Sequence, residues 1–295
     1  MGVKVVRLFL FLVLFSFGLQ AAPVTVIRHV PPEEGVDIRK LYFKDLLVLA
    51  LEKSKKKYGE YLLDQVSTPM YQARAFKSLE QNQIDVVWSM TSNQREEQAQ
   101  AVYIPLMKGL LGYRVFIIHR DKRDLFNNVG SLQDLADLSA IQGHDWPDTK
   151  ILRHNGLKVI TDFKYLAIFD HIDRGRYDYF PRGVLEAWEE LASTKHNHLM
   201  VDPNILLVYP APVYFFVRKG DDALAERLAF GLKQAHEDGS FDHLLFSHPV
   251  HKEAFKKLAV SHRQVFYLSN PLLSDKTPLN EASYWLSVEQ LTGMK

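Results

Sequence analysis

Two periods run through the hydrophobic and polar positions of this chain. VTVIRHV (24–30) is a short β-branched run and reads as a strand. KLYFKDLLVLALEKSKKKYG (40–59) has apolar residues at helical spacing and ends in lysines and a glycine, which reads as a helix with a favourable C-terminus. YLLDQVS is another strand, ARAFKSLEQNQ a short helix and IDVVWS a buried strand. GYRVFIIHR (112–120) reads as a strand, SLQDLADL (131–138) as a capped helix and SAIQG (139–143) as a strand. This alternation predicts the α/β class, with parallel sheets covered by helices. The sequence has no internal repeat, low-complexity tract or long linker.

Near the start the apolar pattern becomes continuous. Lys4 and Arg7 precede LFLFLVLFSFGL, and QAA follows. These are the three regions of a secretory signal peptide. The apolar core runs from about Leu8 to Leu19, short of the roughly 20 residues that a spanning helix needs. Cleavage after Ala21 is therefore favoured over a retained anchor, and Pro23 disfavours a cut after Ala22. The expected location is the periplasm, and no later stretch is long and apolar enough to span a bilayer.

Composition narrows the chemistry. Among the 295 residues there is no cysteine. In an oxidising compartment the fold must then stand on its own core, and thiol catalysis and cysteine-based metal sites are excluded. Length favours two lobes over one. Loss of Lys4 and Arg7 with the signal peptide takes the formal charge from +1 to −1, which leaves no nucleic-acid footprint. No GxSxG, P-loop, GxGxxG or EF-hand spacing occurs. His243, His248 and His251 lie close together, and imidazoles suit zinc or copper. They lack the four-residue helical spacing of a metal-binding helix, so neither metal nor cofactor is expected.

The stretch LEQNQIDVVWSMTSNQREE, followed by YIPLMKGLLGYRVFII, resembles the family 3 extracellular solute-binding proteins of ABC importers, the amino-acid-binding type. GLKVITDFKYLAIFDHIDRGRYDYFPRG and LAERLAFGLKQAHEDGSFDHLL (224–245) resemble later motifs of that family, in order. The resemblance covers most of residues 24–246, and the tail beyond about 250 exceeds it. It implies a two-lobed clamp of the type II periplasmic binding fold. Lobe 1 would be 22–112 plus 213–295, and lobe 2 would be 113–212. The chain would cross near Leu111–Arg114 and Val208–Pro212, where the prolines of YPAP stiffen the backbone. A ligand would bind between the lobes and close them by a hinge motion.

By the resemblance, Arg95 holds a ligand carboxylate. The residue pattern agrees: Ser92 is a plausible N-cap, a helix start is partly positive, and a guanidinium matches a carboxylate two-fold. Pairing with Glu96 or Glu97 at the surface is the alternative. Thr91 and Ser92 are neighbouring donors, and Trp88 is either a pocket wall or a packed core residue. The chain departs from the family where an acidic residue would hold a ligand ammonium, since Arg182 or Gly183 falls there. Arg182 together with Arg95 would suit an anionic ligand, with Tyr179 and Phe180 as stacking surface. Alternatively, Tyr179 and Phe180 are sheet core, Arg182 points to solvent, and Glu186 reaches the cleft to restore amine binding. In GHDWPDTK (143–150), Gly143 permits close backbone approach, and His144, Asp145 and Trp146 are cleft candidates. Asp145 as a mere helix cap is the competing reading.

Three functions fit: a monomeric periplasmic receptor handing a small polar or anionic ligand to a membrane permease, a clamp signalling to a separate membrane sensor, and an enzyme on a binding-protein scaffold. The first is expected, with no catalytic residue assigned. The tail YLSNPLLSDKTPLNEASYWLSVEQL is expected to strap lobe 1 or to dock a partner.

Overall fold

The computed structural model describes residues 24–31, 39–162 and 164–293. The signal-peptide expectation, residues 1–21, lies outside them. Among the described residues no helix is long and apolar enough to cross a membrane.

Twelve strands form among the described residues: β1 Thr25–His29, β2 Tyr61–Gln65, β3 Val86–Met90, β4 Gln100–Val102, β5 Tyr113–His119, β6 Ser139–Gly143, β7 Lys158–Asp162, β8 Phe180–Gly183, β9 Leu199–Val201, β10 Ile205–Val208, β11 Val213–Val217 and β12 Gln264–Tyr267. One sheet has the order β2-β1-β3-β11-β4, and a second the order β12-β10-β5-β8 with β9 also on β5. β6 and β7 form a parallel pair joined to the second sheet by a bridge from Ala140 to Tyr179. Each sheet is flanked by helices, giving the expected two-lobed α/β architecture. As expected, each sheet is mostly parallel, with one strand running against the other four. β1 runs parallel to β2 and β3, but β11 is antiparallel to both of its neighbours, and β5 is antiparallel to β8, β9 and β10. These two strands are the ones by which the chain enters each sheet from the other at a crossing, and each runs against the rest of its sheet.

The core follows from burial on both faces. β5 buries its first six residues, and β11 buries all five. The helix Arg39–Tyr58 lies on the first sheet and packs along Asp222–Glu237. That contact is unusually close, because a Cβ on Gly231 would stand 1.8 Å from the Ala50 carbonyl oxygen. Backbone cannot yield as a side chain can. Gly231→Ala is therefore expected to cost about 2–3 kcal/mol through overpacking, and a fall in the melting midpoint of the purified protein checks it.

The chain passes from the first sheet to the second between β4 and β5, and returns between β10 and β11. These crossings touch: a Cβ on Gly112 would meet the Tyr209 carbonyl oxygen at 1.8 Å, and the Tyr209 N–H donates to the Gly112 carbonyl at 3.1 Å. The tail departs from expectation. Residues 213–295 are expected in lobe 1, yet β12 adds to the second sheet, parallel to β10 with Ile205 opposite Gln264. Tail residues therefore reach both lobes, because β10 offers a free edge on which β12 completes a ladder.

Candidate functional site

A cleft of ≈ 230 Å³ opens between the lobes. Phe43, Gln72, Trp88, Ser89 and Met90 line it from the first lobe, and Asp145, Trp146, Tyr165 and Glu186 from the second. The strand ends place them. β3 delivers Trp88 to Met90, and the turn after β6 delivers Asp145 and Trp146.

Arg95 sits one residue layer behind the first wall. Ser92 caps the helix Asn93–Gln98 by accepting from the Arg95 N–H at 3.3 Å. The guanidinium folds back over the Phe76 ring, 5.6 Å from its centroid. It donates to Ser89 Oγ at 2.8 Å, to the Met90 carbonyl at 2.7 Å and to Gln72 Oε1 at 2.6 Å. All three acceptors are neutral, so the charge is not cancelled by an ion pair among the described residues. Three of the five N–H donors of a guanidinium are used, leaving two. Burial pulls the Arg95 pKa down to about 10, while the charges of Asp145 and Asp148 act against that shift. The alternative surface pairing with Glu96 does not form: Glu96 instead accepts from Thr91 Oγ1 at 2.6 Å and from the Tyr103 hydroxyl at 2.9 Å. Thr91 is thus committed within the protein, whereas Ser89, not singled out from sequence, faces the cleft.

Trp88 lines the cleft and is also packed. Its ring stacks on Phe43 at 6.0 Å and meets Phe215 edge-on at 6.4 Å. Across the cleft, Trp146 stacks on Phe180 at 6.2 Å. The close approach at Gly143 is made by this same Trp146, whose ring would stand 2.5 Å from an added Cβ. Asp145 is exposed at the cleft, and the N-cap of helix Pro147–His154 is Trp146 without a side-chain cap bond, so Asp145 does not cap it. His144 is exposed beside it and does not line the cleft.

Two expectations, one on β8 and one at the residue before it, are corrected. Tyr179 is fully buried in the second lobe's core, 4.5 Å from Phe116 and 5.9 Å from Phe126, and offers no stacking surface to a ligand. Arg182 points neither to solvent nor at a ligand anion. It gives Glu190 a two-pronged pair at 2.7 and 2.6 Å and pairs Glu186 at 3.0 Å. Its guanidinium lies 4.7 Å from the Trp146 centroid and 5.1 Å from that of Phe180. Burial alone would lower its pKa, but Glu186 and Glu190 outweigh burial and raise it. Glu186 and Glu190, four and eight residues on, claim the cation, so the pairing with Arg95 around a dianion is lost.

Arg182 belongs to a larger network that the sequence reading did not identify. Arg114, at the start of β5, is 1% exposed. It donates to Asp148 Oδ1, to Tyr209 Oη at 3.0 Å and to Glu186 Oε2 at 3.3 Å. The Tyr209 hydroxyl donates to the same Asp148 oxygen. Burial would lower the Arg114 pKa, but Asp148, Tyr209 and Glu186 raise it overall. Asp148 lies in the first turn of its helix, where the dipole favours a carboxylate. One signal was present: a charged residue inside the apolar run GYRVFII must be paired if buried. Its partners, 34 and 72 residues away, were not legible. Glu186 both anchors this network and lines the cleft.

Of the three neighbouring histidines, His243 is exposed and the other two are buried and held internally. His248 Nε2 lies 3.3 Å from Asp45 Oδ2, and His251 Nδ1 lies 2.9 Å from the Leu245 carbonyl. Among the described residues no group of three candidate ligands could hold a metal ion.

No protein-family model matches the chain, and no curated protein matches it in sequence. Solved structures do match in fold. An ancestral arginine-binding protein bound to arginine superposes with a TM-score of 0.54 at 19% identity, over 74% of this chain and 96% of that one. A Salmonella typhimurium periplasmic binding protein with high arginine specificity gives 0.53 at 14%, over 75% and 97%. A histidine kinase sensor domain similar to periplasmic binding proteins gives 0.55 at 16%, over 76% and 95%. The chain therefore has the two-lobed fold of the periplasmic amino-acid-binding proteins.

Proposed function

We propose that this protein is a periplasmic clamp that captures a small zwitterion of amino-acid type between its lobes. The carrying observation is the opposition of charges across the cleft: Arg95 stands behind Ser89 and Gln72 on one wall, and Asp145 and Glu186 line the other. A carboxylate would engage the remaining Arg95 donors, with the Gln72 amide turning aside, and an ammonium would meet Asp145. Trp88, Phe43, Trp146 and Tyr165 would cover an apolar body between them. The ≈ 230 Å³ volume suits a solute below drug size, for which pockets of about 300–1,000 Å³ are usual. Ser92 shapes the Arg95 turn, while Thr91 supports it from behind. The amino-acid-like reading replaces the anionic one because Arg182 is already paired.

Two outputs fit such a clamp. Delivery to an ABC-type permease is the reading carried by the sequence resemblance. Signalling to a separate membrane sensor is the second, favoured by the fold match to a histidine kinase sensor domain.

Thermal shift of residues 22–295 against amino acids, dicarboxylates and aromatic acids lacking an amine tests the ligand class. An amino acid at 100 times its dissociation constant should add about 2.7 kcal/mol of stability, visible as a raised midpoint. A panel in which only dicarboxylates or amine-free acids raise the midpoint would refute the zwitterion assignment.

A further inference from the structure

The tail beyond residue 257 makes contacts that a simple strap on one lobe would not. After the helix Pro249–Lys257, the chain enters the second sheet as β12. From there it runs past the second crossing. The Leu268 N–H donates to the Val208 carbonyl at 2.8 Å, and the Asn270 side-chain amide donates to the Pro210 carbonyl at 2.7 Å. Two residues on, the Leu272 carbonyl accepts from the Asn93 N–H of the first lobe at 3.0 Å. The chain then reaches the first crossing. The Leu286 N–H donates to the Lys108 carbonyl at 3.0 Å, and the Tyr113 hydroxyl donates to the Leu286 carbonyl at 2.5 Å. The Trp285 ring occupies the space beside Gly109, 2.6 Å from where a Cβ would stand, at a residue whose φ is +77°.

We infer that residues 264–286 are a brace on the hinge, which ties both crossings to one another and limits how far the lobes swing apart. The physical reason is that a hinge works by changing φ and ψ at a few connecting residues. Here the carbonyls of Val208, Pro210 and Lys108 are held from outside by one continuous segment. Those backbone groups cannot turn freely unless bonds to the tail break. Trp285 adds bulk at Gly109, the one glycine of the first crossing with a positive φ. The brace also spans the lobes directly, since β12 belongs to the second sheet and Leu272 holds the first-lobe helix that carries Arg95. This inference does not depend on which ligand binds, because none of the hydrogen bonds named for the brace involves a residue that lines the cleft.

The absence of cysteine permits a clean test. Exposed Lys77 on the first lobe and Lys158 on the second, each changed to cysteine and spin-labelled, report the interlobe distance by pulsed electron resonance without ligand. The otherwise unaltered chain should give one narrow distribution. Adding Asn270→Ala and Leu286→Pro, which remove the bonds to Pro210 and Lys108, should broaden it and add a longer component. Hydrogen exchange at residues 108–113 and 208–213 should accelerate in parallel. Superimposable distributions with unchanged exchange, in a variant that still melts cooperatively, would overturn the brace. If the double variant does not fold, Asn270→Ala alone decides: it loses only the bonds to the Pro210 carbonyl and from the Leu272 N–H, and unchanged exchange at 208–213 would equally reject the inference.

Discussion

Arg114→Ala is expected to lower the melting midpoint by about 10 °C, the largest loss from any single side chain around the cleft. Removing one partner of a buried ion pair typically costs about 3–5 kcal/mol, because the other charge is left without compensation. In a chain of this size each kcal/mol moves the midpoint by about 2–4 °C. Here the change leaves Asp148, 7% exposed at its side chain, without a cation, takes from Glu186, 6% exposed, one of its two arginines, and removes one of the two partners of the Tyr209 hydroxyl at the second crossing. The origin can be separated from simple loss of volume. Arg114→Met keeps most of the packing and should destabilise nearly as much. Adding Asp148→Asn to Arg114→Met should recover part of the loss, since it removes one stranded charge. Full additivity of the two changes in a double-mutant cycle would show that they do not act on one another.

Arg95→Ala should have the largest effect on binding and a small one on the unliganded fold. The side chain makes three hydrogen bonds, all to neutral acceptors, and it is only half buried by exposure. Each such bond contributes about 0.5–1.5 kcal/mol, or more for a charged donor, and the vacated acceptors can be reached by water. For a bound carboxylate the loss is larger. Truncating one member of a desolvated charge pair costs about 2–5 kcal/mol, or about 30-fold and upward in affinity. Calorimetry on a ligand found by the thermal screen reads this directly. Arg95→Lys keeps the charge but loses the planar fork, and should fall between wild type and alanine. Equal affinity in all three proteins would remove Arg95 from the site.

The sequence by itself determined the elements and their class. β-branched runs of period two and lysine-terminated helical runs of period three to four became β1, β3, β5 and the helix Arg39–Tyr58, since local periodicity decides which face of an element can be buried. It also determined the turn at Arg95, because a Ser N-cap acts within three residues. Tertiary structure decided the rest. Whether β5 and β11 run with or against their neighbours is a matter of pairing between distant segments, and no local pattern records that. Arg182 read as a candidate anion site, but helix Ala187–Ser193 brings Glu190 onto it, and Glu186 just before that helix also reaches it. Tyr179 shared the aromatic character of a ligand-stacking residue, and only the packing of Phe116 and Phe126 placed it in the core. The tail read as a strap because its turns and amphipathic end were local signals. That it reaches both lobes required β10 to present a free edge more than 50 residues earlier in the chain, a fact of pairing between distant segments and not of either segment alone.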